Sequence, residues 1–115
     1  MDKEMRRMYK PSRLVTSFNI AGFKYHDGAL VLDKLHPGKK VKLVPEPDNP
    51  YDRNAIQLRY KGTKLGYVPR EENGLMALMA YFGHKDVFEA RVLQVDPEAE
   101  PRNQVRVGIY VTDKR

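Results

Sequence analysis

The residue types best suited to chemistry are concentrated between Leu43 and Ala55, in Leu-Val-Pro-Glu-Pro-Asp-Asn-Pro-Tyr-Asp-Arg-Asn-Ala. Tyr51 and Asp52 sit in its middle. An aromatic face beside an acceptor-only carboxylate is a pairing that can stack a ring and grip a hydroxyl. Pro45, Pro47 and Pro50 each fix their own φ, remove a backbone donor and push the preceding residue towards extended geometry. A loop that stiff presents side chains without first having to order them. Tyr25, next to Lys24, is a second aromatic at the exit of an apolar run. If both rings face one groove flanked by Lys24, Lys42 and Arg70, the result is a stacking clamp with phosphate contacts. Gly66-Tyr67-Val68-Pro69-Arg70 would bring Arg70 to that groove; a solvated arginine ahead of a helix fits the same residues. Asn49 and Asn54 fit equally well as Asx-turn residues that cap their own backbone.

Other chemistries find less support. There is no Gly-x-Ser-x-Gly, no Walker loop and no His-Glu-x-x-His,. His26, His36 and His84 are far apart and each lies in a turn context, which reads as exposed loop histidines rather than a metal cluster. Glu46, Asp48 and Asp52 are close enough to suggest Mg²⁺ or Ca²⁺, but their spacing is not that of an EF-hand loop. The expectation is a chain without metal or cofactor that is not an enzyme. A metal-dependent phosphohydrolase on those three carboxylates stands as a distant third reading.

The totals narrow the partners. The chain has 115 residues, no cysteine and a net charge of +6, with a pI near 9.6. That length implies one domain with a modest core. The absence of cysteine excludes a disulfide framework and a thiolate zinc site, and suits a reducing, cytoplasmic setting, close to the nucleoid if the partner is DNA. No apolar run approaches membrane-spanning length, and Met1 to Lys10 is charged where a signal peptide would be apolar, so no membrane partner is expected. The basic balance favours an acidic partner, nucleic acid being the commonest.

The elements that must position these residues follow from periodicity. Met1 to Arg13 reads as a basic arm and Asp113 to Arg115 as a tail, with the domain over 14–112. Leu14 to Tyr25 reads as the first strand, delivering Lys24 and Tyr25 to its exit; Ala29 to Leu35 is a short edge strand or half-turn. Lys40 to Val44 and Ala55 to Tyr60 flank the proline-rich loop, and Lys61-Gly62-Thr63 turns the chain into Lys64 to Val68. Glu71 to Phe82 is the one helix, with Leu75, Leu78, Met79 and Phe82 as its buried stripe and Gly83 as its stop. Val87 to Asp96 and Gln104 to Thr112 complete six or seven strands. Such a chain is mostly β with one helix and closes most simply as a small antiparallel barrel plugged by that helix.

These segments resemble the HIRAN domain family. The matching pieces are Ala21-Gly22-Phe23-Lys24-Tyr25, Pro37-Gly38, the run from Leu43 to Ile56, and Lys64-Leu65-Gly66-Tyr67-Val68-Pro69-Arg70. The resemblance runs from about Val15 to Val111 and implies an OB-like or SH3-like barrel. It also implies a module of fork-remodelling helicases or a small stand-alone protein, with DNA repair and helicase proteins as further partners. Carried across by motif position, Tyr25 and Tyr51 would sandwich the terminal base of a single DNA strand. Asp52 would accept from its free 3′-hydroxyl, and Asn49 would shape the pocket. Lys24 and Arg70 would hold phosphates, and Tyr67 would form part of the wall. Lys24 stands where the helicase module has arginine, so a forked contact becomes a point charge, and His26 replaces a second aromatic. The leading expectation is therefore a non-catalytic binder of single-stranded DNA 3′ ends. The alternative is a protein-interaction or scaffold module on the same barrel.

Overall fold

Alternating β-branched and charged residues make strands wherever one face can be buried, and six segments of this chain do so. In the computed structural model residues 12–112 are described. The strands are β1 (Ser12–Asn19), β2 (Lys40–Pro45), β3 (Ile56–Tyr60), β4 (Thr63–Tyr67), β5 (Phe88–Val95) and β6 (Val105–Thr112). They form one sheet in the order β1-β6-β5-β2-β3-β4, and every neighbouring pair is antiparallel. Period two is clearest in β3, where Ile56, Leu58 and Tyr60 are buried and Gln57 and Arg59 are not, and in β6, where Val105, Val107 and Ile109 enter the core. Phe18, Ile20, Leu65, Val68, Ala90 and Val92 pack against them in the same cluster.

The two ends of the sheet meet at a single point. Just beyond β1, Ala21 forms an isolated antiparallel bridge with Tyr67 of β4, each amide donating to the other's carbonyl at 2.9 Å. Gly66 permits this approach: its φ is 150°, and a Cβ there would run into the Ala21 carbonyl oxygen and the Ile20 side chain,. The strands themselves remain an open antiparallel sheet, because β1 and β4 share no ladder.

Several expected boundaries move. The first strand stops at Asn19 and does not run on to Tyr25. Gly22 takes the left-handed conformation at φ 71° and turns the chain into a 3₁₀ turn over Phe23–Tyr25. Phe23 is thereby buried, which an extended chain carrying on along the sheet would not achieve. Ala29 to Leu35 falls mainly within a second 3₁₀ segment, Asp27–Lys34, so its half-turn reading is the one observed. The arm expected over residues 1–13 lies outside the described residues except for Ser12 and Arg13, which already belong to β1. The tail over 113–115 also lies outside them.

The helix is shorter and rotated relative to expectation. α1 spans Gly74–Tyr81, preceded by a 3₁₀ turn over Arg70–Glu72. It ends on Gly83 at φ 86°, with the Gly83 and His84 amides donating to the Ala80 and Met79 carbonyls. The expected stripe of Leu75, Leu78, Met79 and Phe82 is not the buried one. Met76 is the helix residue that enters the core, at 5% exposure, while Leu75, Leu78 and Phe82 face solvent. The helix carries apolar residues on every side, so periodicity alone could not select the face that docks.

Candidate functional site

The proline-rich loop between β2 and β3 is closed at its base by Glu46 N–H donating to Ala55 C=O at 2.8 Å. Inside it, Asn49 does most of the shaping. Its Oδ1 accepts from the Tyr51 amide at 2.9 Å and the Asp52 amide at 3.1 Å, and its Nδ2 donates to Glu46 Oε1 at 3.0 Å. The prolines supply no amide donors, so this one side chain takes the place of a ladder. The Asx-turn reading of Asn49 is thus correct. Asp52 repeats the device, its Oδ1 accepting from the Asn54 amide at 2.9 Å.

This scaffold leaves Tyr51 86% exposed. Arg70, from the turn before α1, donates through Nη2 to the Tyr51 carbonyl at 2.8 Å and places Nε 3.7 Å from Asp52 Oδ2. Asn73, buried at the start of α1, turns its side chain away from capping the helix and donates from Nδ2 to Asp52 Oδ2 at 2.9 Å. The Asn73 and Asn54 hydrogen bonds, with the Arg70 charge, outweigh burial and hold the Asp52 carboxyl below its ordinary value,. The carboxylate is ionised at neutral pH and 18% exposed. A carboxylate offers about four acceptor positions, so its two close donors leave capacity for another.

A second cluster lies beneath the loop. Tyr67 donates its hydroxyl to Glu46 Oε1 at 2.9 Å and accepts from Lys64 Nζ at 2.6 Å. Gln57 Nε2 donates to Glu46 Oε2, and Lys64 Nζ stands 3.8 Å from that oxygen. Burial alone would raise the Glu46 carboxyl. The hydrogen bonds from Asn49, Tyr67 and Gln57, together with the Lys64 charge, bring it below its ordinary value instead. His26 sets its ring edge against Tyr67, with centroids 5.7 Å apart. Burial and the Lys64 charge lower its pKa, so the imidazole is neutral at neutral pH.

The structure therefore joins Asn49, Tyr51, Asp52, Tyr67 and Arg70 in one connected set. Lys24 and Tyr25 lie on the turn next to His26. Lys24 Nζ is 5.8 Å from the Tyr25 ring centroid, and that ring is 78% exposed. Lys42 lies on β2, outside the network. Three members are not singled out by the sequence, Gln57, Lys64 and Asn73, and Glu46 is singled out there only as a possible metal ligand. Glu46 stands three residues before Asn49, an i, i+3 polar spacing across a turn that could have been read. Asn73 carried no such signal, because its partner Asp52 is 21 residues away. The grouping of Glu46, Asp48 and Asp52 suggested for a metal does not form. The Glu46 carboxylate accepts from Asn49, Gln57 and Tyr67 and the Asp52 carboxylate from Asn54 and Asn73, and among the described residues no three His, Cys, Asp or Glu side chains gather.

Comparison with known proteins places this geometry. The HIRAN domain model matches residues 14–112. The chain belongs to the HIRAN domain family. Over 64 residues it is 34% identical to the helicase-like transcription factor of Oryctolagus cuniculus, a stretch covering 55% of this chain and 6% of that protein. A crystal structure of a protein from Lactobacillus plantarum superposes with a TM-score of 0.73 at 24% identity, covering 89% of this chain and 96% of that one. The crystal structure of the HIRAN domain of human HLTF superposes with a TM-score of 0.58 at 21% identity, covering 90% and 82%. The antiparallel sheet and its helix are thus the HIRAN fold, and the proline-rich loop and the Tyr67 strand both lie within the matched HIRAN segment.

Proposed function

We propose that this HIRAN chain is a non-catalytic module that binds single-stranded DNA at a free 3′-hydroxyl end. Family membership implies nucleic-acid binding, and the net charge of +6 suits it,. The observation that carries the finer reading is Asp52: an ionised, partly exposed carboxylate next to the uncovered Tyr51 ring, on a loop shaped by its own hydrogen bonds. A terminal hydroxyl donates to such a carboxylate. At an internal nucleotide that oxygen is esterified, and the phosphate would set charge against charge, a difference on the order of a few kcal/mol.

In this reading Tyr51 and Tyr25 stack the last base from the two sides of the Tyr67 wall. Stacking supplies roughly 1–3 kcal/mol per base and tolerates any base. Asn49 keeps Tyr51 and Asp52 in register, and Arg70 and Lys24 take the phosphates. The Ala21–Tyr67 bridge ties the chain just beyond β1 to β4 across the open sheet, holding the Tyr25 turn near Tyr67. Helicases and repair proteins are the partner class this activity would serve.

Fluorescence anisotropy with oligonucleotides bearing a free 3′ end, a 3′-phosphate or only a free 5′ end, at two salt concentrations, tests the reading. The free 3′ end should bind best, and affinity should fall with log salt. Equal affinity for blocked and free 3′ ends would remove hydroxyl recognition, and salt-independent or absent binding would remove the nucleic-acid reading altogether.

A further inference from the structure

Helix α1 presents to solvent the large side chains that a helix ordinarily buries. Leu75, Leu78, Tyr81 and Phe82 are 55–82% exposed. Beside them runs a groove of about 760 Å³ between α1 and the outer side of the proline-rich loop. Its lining is mostly apolar, with Pro45, Pro47, Ala77, Leu78, Tyr81 and Phe82 supplying most of it and Asn54 as its uncharged polar member. The Tyr81 and Phe82 rings meet edge to face, with centroids 5.0 Å apart, which stiffens that part of the lining. The charged residues lining the groove are Arg53 and Lys85, both cationic, and neither forms an ion pair among the described residues. Past Lys85 lies a smaller hollow of about 200 Å³ of mixed charge, where Lys42 stands beside Asp86 and Glu89 and Lys40 is already paired with Glu89 at 2.9 Å, so among the described residues the unpaired cations of the groove itself are Arg53 and Lys85.

An apolar trough with cations at its rim has a definite complement. Nucleic acid is a poor fit, because interfaces for it are polar and strongly positive, whereas this lining is mostly apolar with two cations,. A protein segment with apolar anchors on one face and carboxylates flanking them satisfies both features at once. We propose that the groove between α1 and the proline-rich loop docks an amphipathic acidic segment of a partner protein. This surface is separate from the Tyr51–Asp52 site and does not rest on its assignment. The loop is shared between the two, its inner side chains serving one face and Pro45, Pro47 and Arg53 the other, so both ligands can be held at once.

The test is selection from a displayed random 16-residue peptide library on the wild-type protein, with counter-selection on Leu78→Glu. Leu78 is exposed, so the variant keeps the fold, which a circular-dichroism melt verifies. The enriched peptides should carry two or three large apolar residues at helical spacing with Asp or Glu beside them. A synthetic peptide of the winning sequence should bind Leu78→Glu about tenfold or more weakly, and Lys85→Glu severalfold more weakly, while both variants bind oligonucleotide as the wild type does. Enrichment that survives Leu78→Glu, or peptides lacking acidic residues, would overturn the proposal. So would movement of the Leu78 to Lys85 amide resonances on adding oligonucleotide, which would give the groove to nucleic acid. A dimer that Leu78→Glu dissociates would give it to a second copy of the chain.

Discussion

The proline-rich loop and helix α1 border one groove, and they are held in opposite ways. The loop is irregular, half polar and carries three prolines, yet Asn49 and Asp52 satisfy its backbone point by point. The helix has a regular backbone that satisfies itself, yet it is fastened to the body chiefly by Met76, with Ala77 packed alongside, and by Asn73 gripping Asp52. The difference shows where specificity of shape resides. In the loop it comes from individual side chains aimed at individual amides; in the helix it comes from which of several apolar faces happens to dock.

The contrast can be broken most directly at Met76. Met76→Ala should destabilise the fold by about 2–5 kcal/mol, whereas Leu75→Ala, one position away, should stay within about 0.5 kcal/mol. Urea unfolding of both variants checks this, and equal losses would mean that α1 docks through another face. Asn49→Ala removes three hydrogen bonds and should loosen the loop by about 2–3 kcal/mol. Faster hydrogen exchange at the Tyr51 and Asp52 amides, with the core amides unchanged, is the expected signature. Tyr51→Ala should cost roughly 1–3 kcal/mol of oligonucleotide binding with a thermal midpoint close to wild type. Undiminished affinity in the folded variant would defeat the stacking clamp.

The smallest effects are those of pH. Glu46 and Asp52 both titrate lower in the folded chain than in the unfolded one. Each therefore contributes stability that is fully present above its ordinary value, 4.5 for Glu46 and 3.8 for Asp52, and is lost as pH falls through the folded value. His26 is likewise lowered from 6.5; the folded chain favours its neutral form, so its contribution declines first, as pH drops below 6.5. Thermal midpoints between pH 7.5 and 3 should thus fall in two stages. Glu46→Gln should make the lower stage shallower, Asp52 and Glu89, both also lowered by folding, carrying the rest, and His26→Gln should flatten the upper one. A single stage that neither substitution alters would show that these groups are not the ones titrating.

The same contrast explains what could be read in advance. β2, β3 and β6 were legible because Val41, Leu58 and Val107 are flanked by charged, polar or glycine neighbours, so that a one-residue slip would expose them, and β5 because its run of eight is rich in apolar residues on both faces,. The loop was legible because proline, asparagine and aspartate each act on the backbone within a few residues of themselves. Where the outcome depended on a distant partner, the residues alone could not decide. Nothing around Asn73 indicates that it will turn towards Asp52. Nothing in Gly-Leu-Met-Ala-Leu-Met-Ala-Tyr says that Met76, not Leu75 or Leu78, meets the core. The end of β1 failed for a different reason: Gly22 breaks an alternation that Phe23 superficially continues. As for the site, Asn49, Tyr51, Asp52, Tyr67 and Arg70 were named and are joined, whereas Lys24 and Tyr25 were named and lie on the neighbouring turn; Glu46 was read only as a possible metal ligand, and Gln57 and Lys64 were missed because they work on Glu46 and Tyr67 beneath the surface rather than at it.

The lone bridge between Ala21 and Tyr67 gives the molecule a clasp with just two hooks. Any guest that presses the Tyr25 turn against the Tyr67 strand also keeps that clasp fastened, so the guest's binding energy is transmitted into the mechanical integrity of the whole sheet. In the proposed reading the amide protons of Ala21 and Tyr67, already bonded in the empty molecule, become a built-in gauge of occupancy: they should trade with solvent more slowly still once a strand end is held.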